Sequence, residues 1–305
     1  MNILFLGTGA GIPSKERNVS AIALDLLQEE NEIWLFDCGE ATQHQILHTT
    51  IKPRKINKIF ITHLHGDHIF GLPGFISSRS FQGGEDPLTV YGPKGIKAFV
   101  ETALEISKSN LSYPLNIVEI EDGSMITEEN FTIYVKKLDH GVPSFGYRIV
   151  EKDAPGELLV EKLKALGIPP GPLYGEIKNN EFVETKEHGT LYRKDFVGPD
   201  KPGKIVTIMG DTRYHSEFAA FVEASDLLVH EATFRKIHED LAYKYHHTTT
   251  EQAAKLAKKG NVKQLILTHI SSRYQAEEQE SLLEEAREIF PDTVLANDFY
   301  KQKLT

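Results

Sequence analysis

Between positions 63 and 68 the chain reads His63-Leu64-His65-Gly66-Asp67-His68, which sets three imidazoles and a carboxylate directly after the apolar run Lys58-Ile59-Phe60-Ile61-Thr62. Holding so many polar groups beside a buried strand costs free energy unless something binds them, and a cation is the ligand their donor atoms suit. In an extended turn His63 and His65 project to one side while Asp67 and His68 reach a second position, so two neighbouring cations can be accommodated. Imidazole and carboxylate favour zinc, although ligand type alone also admits manganese or iron. The one cysteine, Cys38, forms neither an intramolecular disulfide nor a thiolate cluster and reads as buried packing, so any metal must rest on histidine and carboxylate. The competing reading is a solvated surface loop that happens to be rich in histidine.

The elements that must position these groups are short apolar runs, each ending in a turn or at a His or Asp position. Ile3-Leu4-Phe5-Leu6 runs into Gly7-Thr8-Gly9, Ile33-Trp34-Leu35-Phe36 into Asp37, and Phe131-Thr132-Ile133-Tyr134-Val135 leads toward His140. Ile205-Val206-Thr207-Ile208-Met209 precedes Asp211, Leu227-Leu228-Val229 precedes His230-Glu231, and Gln264-Leu265-Ile266-Leu267-Thr268 delivers His269. Strands that end at candidate ligands are expected where a rigid sheet carries a site in its terminal loops. Helical patterns lie between them, as in Ile96, Phe99, Val100, Ala103, Leu104 and in Leu282, Leu283, Ala286, Ile289, Phe290, so the fold class is α/β. Gly7-Thr8-Gly9-Ala10-Gly11 has the wrong spacing for a dinucleotide loop. Positions 151 to 200 are rich in Gly, Pro and charge, and Ile168-Pro169-Pro170-Gly171-Pro172 cannot be regular helix or central strand. This stretch is an insertion or projecting arm; Leu158, Leu159, Leu163, Leu166, Ile168, Leu173 and Tyr174 argue for packing over a disordered linker.

His63-x-His65-x-Asp67-His68 followed by isolated His140, Asp211 and His269 resembles the ordered motif set of the metallo-β-lactamase superfamily, over nearly the whole chain. The resemblance implies a four-layer αββα sandwich, one domain over residues 1–305 with the arm at about 151–200 inserted. It also implies that His63, His65 and His140 bind one zinc ion, that Asp67, His68 and His269 bind another, and that Asp211 bridges the two. Taken singly, His140 and His269 would more often be satisfied structural histidines, and Asp211 a turn residue. Two cations roughly 3.5–4 Å apart suit phosphodiester hydrolysis, because they stabilise charge on both the entering and the leaving oxygen. Asp67 is then the candidate proton acceptor.

A proton donor for the leaving oxygen is still required, and His247 with Glu231 as its orienting partner is the candidate pair. Thr248-Thr249-Thr250-Glu251 reads as a capping box opening a helix through Ala253, Ala254, Leu256 and Ala257 that Gly260 ends. The positive end of that helix would lower the pKa of His247, so an ionised carboxylate is needed to keep it protonated. The alternative is that His246 and His247 only cap the helix surface.

These positions extend the resemblance to one family, ribonuclease Z, the transfer RNA 3′-processing endonuclease. Its His-Glu-Ala-Thr motif stands as His230-Glu231-Ala232-Thr233, and its His-Ser-Thr motif as His247-Thr248-Thr249, with one hydroxyl residue exchanged for another. Its Pro-x-Lys-x-Arg-Asn loop stands as Pro13-Ser14-Lys15-Glu16-Arg17-Asn18, which implies Lys15 and Arg17 on backbone phosphates. Arg273 in Ser272-Arg273-Tyr274 resembles the family's loop that inspects the RNA 3′ end, and the segment around Gly171-Pro172 resembles the family's arm, whose Gly-Pro motif it would carry and which clamps the transfer RNA. The resemblance further implies precursor tRNA as substrate, a homodimer, and a cut after the discriminator nucleotide that leaves a 3′-hydroxyl and a 5′-phosphate.

The formal charge of −10 runs against general nucleic-acid binding, which calls for clustered Lys and Arg. Bound cations and local basic groups must supply the positive field instead. The arm is no exception, with seven Lys and Arg against nine Asp and Glu between 151 and 195, so its contacts would fall to groups such as Lys162, Lys164 and Lys178 and to shape. No apolar run approaches eighteen residues and the start lacks the features of a secretory signal, so a cytoplasmic location is expected. Rival readings are a glyoxalase-type thioesterase, a small phosphodiesterase, or a metal-stabilised RNA-binding module without catalysis.

Overall fold

In the strand Asn2–Gly7, Ile3 and Phe5 point to one side while Leu4 and Leu6 point to the other, and both sides are apolar. Glu32–Phe36 repeats the pattern with Trp34 and Phe36 opposite Ile33 and Leu35. A strand with two apolar faces is stable only when both are covered. The computed structural model, which describes residues 1–275 and 278–304, shows how this is met.

Among the described residues the strands form two seven-stranded sheets. The first runs in the order Lys301–Lys303, Asn2–Gly7, Ala21–Leu26, Glu32–Phe36, Ile56–Phe60, Leu88–Pro93, Leu115–Ile120. The second runs Thr293–Leu295, Leu265–Thr268, Leu227–Glu231, Ile205–Ile208, Ser144–Glu151, Phe131–Leu138, Met125–Thr127. Phe5, Leu24, Trp34, Phe36 and Phe60 of the first interdigitate with Phe131, Tyr147, Val206, Val229 and Ile266 of the second in one buried cluster. The outer face of the first sheet is covered by helices Leu72–Phe81 and Ile96–Ile106 through Phe75, Ile76, Ile96 and Val100. Helices Thr250–Lys259 and Gln279–Arg287 cover the second through Ala253, Leu256, Ala257, Leu282 and Ala286. The layers therefore run helix, sheet, sheet, helix, the α/β sandwich anticipated above.

Pairing register brings the strand ends together. Ile205–Ile208, Leu227–Glu231 and Leu265–Thr268 are parallel neighbours, with Ile208 opposite Val229 and Glu231 opposite Thr268, so the residues that follow emerge at one edge. Glu32–Phe36 and Ile56–Phe60 are likewise parallel, with Phe36 opposite Phe60, so Asp37 and Thr62 leave the first sheet side by side.

Residues Val150–Lys204 form a separate compact unit. It contains helices Val160–Ala165, Pro172–Asn179 and Arg193–Phe196 and the hairpin Phe182–Thr185 with Gly189–Tyr192. Leu163, Ile168, Ile177, Leu191, Phe196 and Val197 make its own small core, with Leu158, Leu173 and Tyr174 packed against it, whereas Leu159 and Leu166 are exposed. Pro172, which could not lie inside a helix, opens one instead, where its missing N–H is no loss. Among the described residues no helix is long and apolar enough to cross a membrane.

Candidate active site

After the strand Ile56–Phe60 the chain stays extended to His65 and then turns into the short helix Gly66–Ile69, which carries Asp67 and His68. His63 and His68 are buried, and His63 Nε2, His65 Nδ1 and His140 Nε2 converge, with the His65 atom 3.1 Å from His63 and 3.2 Å from His140. A second group lies beside it: His68 Nε2 is 3.3 Å from His269 Nε2, and Asp67 Oδ2 is 3.4 Å and 3.3 Å from the same two atoms. Asp211 Oδ2 stands between the groups, 3.6 Å from His63, 3.5 Å from His68 and 3.4 Å from His269. Zinc–nitrogen bonds of about 2.0–2.1 Å in a tetrahedron set neighbouring donors roughly 3.3–3.4 Å apart. The observed spacings bracket that edge length, so the donor set fits a pair of four-coordinate cations.

The outer nitrogens of the histidines support the same fit. His140 Nδ1 donates to the carbonyl of His246 at 2.8 Å, and His68 Nδ1 donates to Asp37 Oδ2 at 2.7 Å, so each Nε2 turns a lone pair inward. Thr62 donates both its N–H, at 2.7 Å, and its hydroxyl, at 2.9 Å, to Asp37, and its oxygen then accepts from His63 Nδ1 at 3.0 Å. Burial pulls His63 and His140 below the usual histidine value, toward the neutral form that ligates a cation. His68 is buried too, but the charges of Asp37 and Asp211 lift it well above that value; a cation at Nε2 would displace that proton and leave the one shared with Asp37. Burial disfavours ionisation of Asp211, yet His269, His68 and His63 hold it well below the ordinary carboxylate range.

Backbone geometry is unusual here. Asp37 and His269 have φ of 58° and 57°, left-handed values uncommon for residues with a Cβ, which turn each side chain out of its strand direction and into the site. Gly11, at φ 72°, donates its N–H to Asp67 Oδ2 at 2.8 Å, so the glycine-rich loop serves the carboxylate and not a dinucleotide. Hydrogen bonds from His269 and His68 outweigh burial and hold Asp67 far below its ordinary value.

His247 Nδ1 donates to Glu231 Oε1 at 2.9 Å and lies 3.9 Å from Asp211 Oδ2, at the edge of the cation positions. Glu231 is buried and also accepts the N–H groups of Thr212, Thr233 and Thr248. Burial alone would favour neutral His247, but the Glu231 carboxylate prevails and pushes it up to about 9, so it carries its proton at neutral pH. The helix cap is shifted by one residue from the sequence reading. Thr249 is the N-cap, in a capping box with Gln252, while Thr248 gives its hydroxyl to the carbonyl of Thr212 and Glu251 pairs with Lys236 and Lys255. Thr248 is drawn inward because its N–H is needed by Glu231, which leaves the cap to its neighbour. Neither His246 nor His247 caps the helix.

The basic residues expected to meet RNA are divided. Lys15 is exposed and, with Ser14, Ser271 and Ser272, lines a cavity of about 270 Å³, so the Lys15 and Arg273 loops adjoin. Arg273 is exposed with its guanidinium 5.0 Å from the Phe234 ring. Arg17 corrects the expectation. It is 5 % exposed, and its guanidinium donates to Thr8 Oγ1, the Ala296 carbonyl and Asn297 Oδ1, each at 2.6 Å. A guanidinium so engaged braces its own loop, and among the described residues its buried Nε has no hydrogen-bond partner. Gly171 and Pro172 are exposed at the start of their helix, whereas Lys164 pairs with Glu161 and Lys162 donates to the Asp195 carbonyl. Asp37, Thr62, Thr233 and the His246 carbonyl were not among the expected site residues. Asp37 carried a usable signal, since its strand ended at an acid just as others ended at ligands.

The fold and the donor set define a metal-dependent hydrolase of the metallo-β-lactamase superfamily. The metallo-β-lactamase fold protein YhfI of Bacillus subtilis has the same fold, at a TM-score of 0.69 and 18% identity over 99% of each chain. The family model of the anti-Pycsar protein Apyc1 matches residues 1–152. Ribonuclease Z of Oceanobacillus iheyensis is 62% identical over 98% of each chain. The crystal structure of human tRNase Z, short form, matches at a TM-score of 0.72 and 30% identity over 100% of each chain. The chain belongs to the ribonuclease Z family of endoribonucleases.

Proposed function

We propose that this protein removes the 3′ trailer from precursor tRNA, cutting after the discriminator nucleotide to leave a 3′-hydroxyl on the tRNA and a 5′-phosphate on the trailer. The observation that carries this reading is His247, hydrogen-bonded to the buried Glu231 beside seven converging candidate ligands in a chain of this family. His63, His65 and His140 would hold one zinc ion and Asp67, His68 and His269 a second, with Asp211 within reach of both groups. Bound ions of this kind supply Lewis acidity toward a water and toward the phosphoryl oxygen at neutral pH. Asp67, fixed by the Gly11 N–H, accepts the proton of the attacking water. His247 Nε2 gives its proton to the departing 3′-oxygen as the P–O3′ bond breaks, while Glu231 keeps Nδ1 occupied. Lys15 and Arg273 meet the RNA backbone near the cut, and Arg17 braces the Lys15 loop. The enzyme works in the cytoplasm as a homodimer, the unit Val150–Lys204 with its Gly171-Pro172 turn gripping the body of the tRNA. Zinc-loaded protein and a precursor carrying a 3′ trailer make the test: a single cut at the discriminator, lost with chelator and restored by zinc, is expected. No defined cut would overturn the reading.

The unit Val150–Lys204 can be tested separately because its ends meet, with Glu151 N–H donating to the Lys204 carbonyl at 2.9 Å and Lys204 N–H to Glu151 Oε2 at 2.9 Å. A short turn can therefore replace it with little loop strain. The shortened protein is expected to lose precursor cleavage, by at least about 100-fold, the order that loss of a linked second binding contact gives, while hydrolysing a small phosphodiester at the full-length rate. Equal loss on both substrates would assign the unit a structural role.

A further inference from the structure

Glu231 does more than hold His247. Its Oε2 accepts the hydroxyl of Thr233 at 2.7 Å and the Thr233 N–H at 3.1 Å. Because that hydroxyl proton is given to Glu231, Thr233 Oγ1 accepts from His269 Nδ1 at 2.9 Å, and His269 Nε2 turns its lone pair toward Asp67 and Asp211. The same oxygen lies 3.3 Å from His247 Nδ1. The arrangement repeats one on the first sheet. There Asp37 accepts the N–H and hydroxyl of Thr62, and Thr62 Oγ1 meets His63 Nδ1. Each sheet thus ends in a buried carboxylate, a threonine that spends its proton on that carboxylate, and a histidine whose tautomer the threonine oxygen fixes. All four of these non-histidine residues are nearly excluded from solvent, so water cannot substitute for the missing partner.

We propose that Thr233 is a positioning residue for the cation held by His269, and that Glu231, through its two oxygens, ties that ligand to the proton donor His247. The side chain of Thr233 acts through its hydroxyl alone. The inference rests on the two-cation reading of the site. It also explains why Glu231 carries so many donors: an ionised carboxylate shared by the ligand relay and by His247 keeps both geometries fixed together.

The test is zinc binding to metal-free protein by calorimetry, with circular dichroism and thermal unfolding as checks of the fold. Thr233→Val, nearly isosteric but without the hydroxyl, is expected to weaken one of the two zinc equivalents by roughly 10–100-fold and to leave the other unchanged, with native circular dichroism. Thr233→Ser is expected to restore wild-type affinity. Thr62→Val is expected to weaken one equivalent as well, and combined with Thr233→Val to weaken both. Wild-type affinity in Thr233→Val, or a Thr233→Ser variant as impaired as the valine, would overturn the inference, the second outcome by tracing the effect to packing. Wild-type protein that takes up no zinc would instead overturn the two-cation reading itself.

Discussion

Asp211→Asn is expected to bring precursor cleavage to background, a fall of at least about 10⁴-fold, and to reduce bound metal to less than one ion per subunit by elemental analysis. The reason is positional. Asp211 Oδ2 lies within 3.6 Å of the Nε2 atoms of His63, His68 and His269, so one anionic oxygen serves both donor groups. Asparagine keeps the shape but offers a neutral oxygen, and the buried imidazoles lose the charge that offsets a divalent ion. Without a divalent ion a water gives up its proton far less readily, so the rate follows the metal down. Circular dichroism should remain native, because Asp211 is not part of the apolar cluster between the sheets. Two ions per subunit together with wild-type cleavage in Asp211→Asn would remove Asp211 from its bridging place.

His247→Ala separates chemistry from metal binding. Cleavage of precursor tRNA under single-turnover conditions is expected to slow by roughly 10²–10⁴-fold, the range for loss of a positioned general acid, with both zinc ions retained. The side chain stands 3.9 Å from Asp211 through Nδ1, a nitrogen already given to Glu231, which leaves Nε2 as the nitrogen for the proposed proton transfer. A substrate whose leaving group needs no protonation, such as a phosphodiester with a nitrophenolate leaving group, should be cut by His247→Ala at a rate close to wild type. Equal slowing on both substrates, or loss of zinc in the variant, would reassign His247 to the ligand set. In His247→Ala the buried carboxylate of Glu231 loses its charged partner, so a lower unfolding temperature is expected as well.

Much of the site was legible in sequence because its carriers are local. His63 to His68 are set by one turn, and the strands running to His140, Asp211, Glu231 and His269 announce themselves through apolar alternation that stops at a polar residue. The capping box was misread by one position because three threonines in succession offer equivalent local chemistry, and only the demand of Glu231 for the Thr248 N–H selects among them. The placement of Arg17 was hidden for a similar reason. A motif gives the residue type, whereas burial against Thr8, Ala296 and Asn297 decides where the guanidinium is spent. The arm could be bounded by composition, but the small core built from Leu163 to Val197 could not, because its partners are brought together by folding and not by periodicity.

What the sequence by itself determined is the set of candidate donor residues and the α/β class, from residue types and short-range spacing, and, through resemblance, the four-layer sandwich and the kinship with ribonuclease Z. Only the tertiary structure decided how those ligands are held. Asp37 reaches Thr62, Thr233 reaches His269 and Gly11 reaches Asp67 across separations of 25, 36 and 56 residues. Such hydrogen bonds depend on strand register and on left-handed backbone at Asp37 and His269, and neither follows from local pattern.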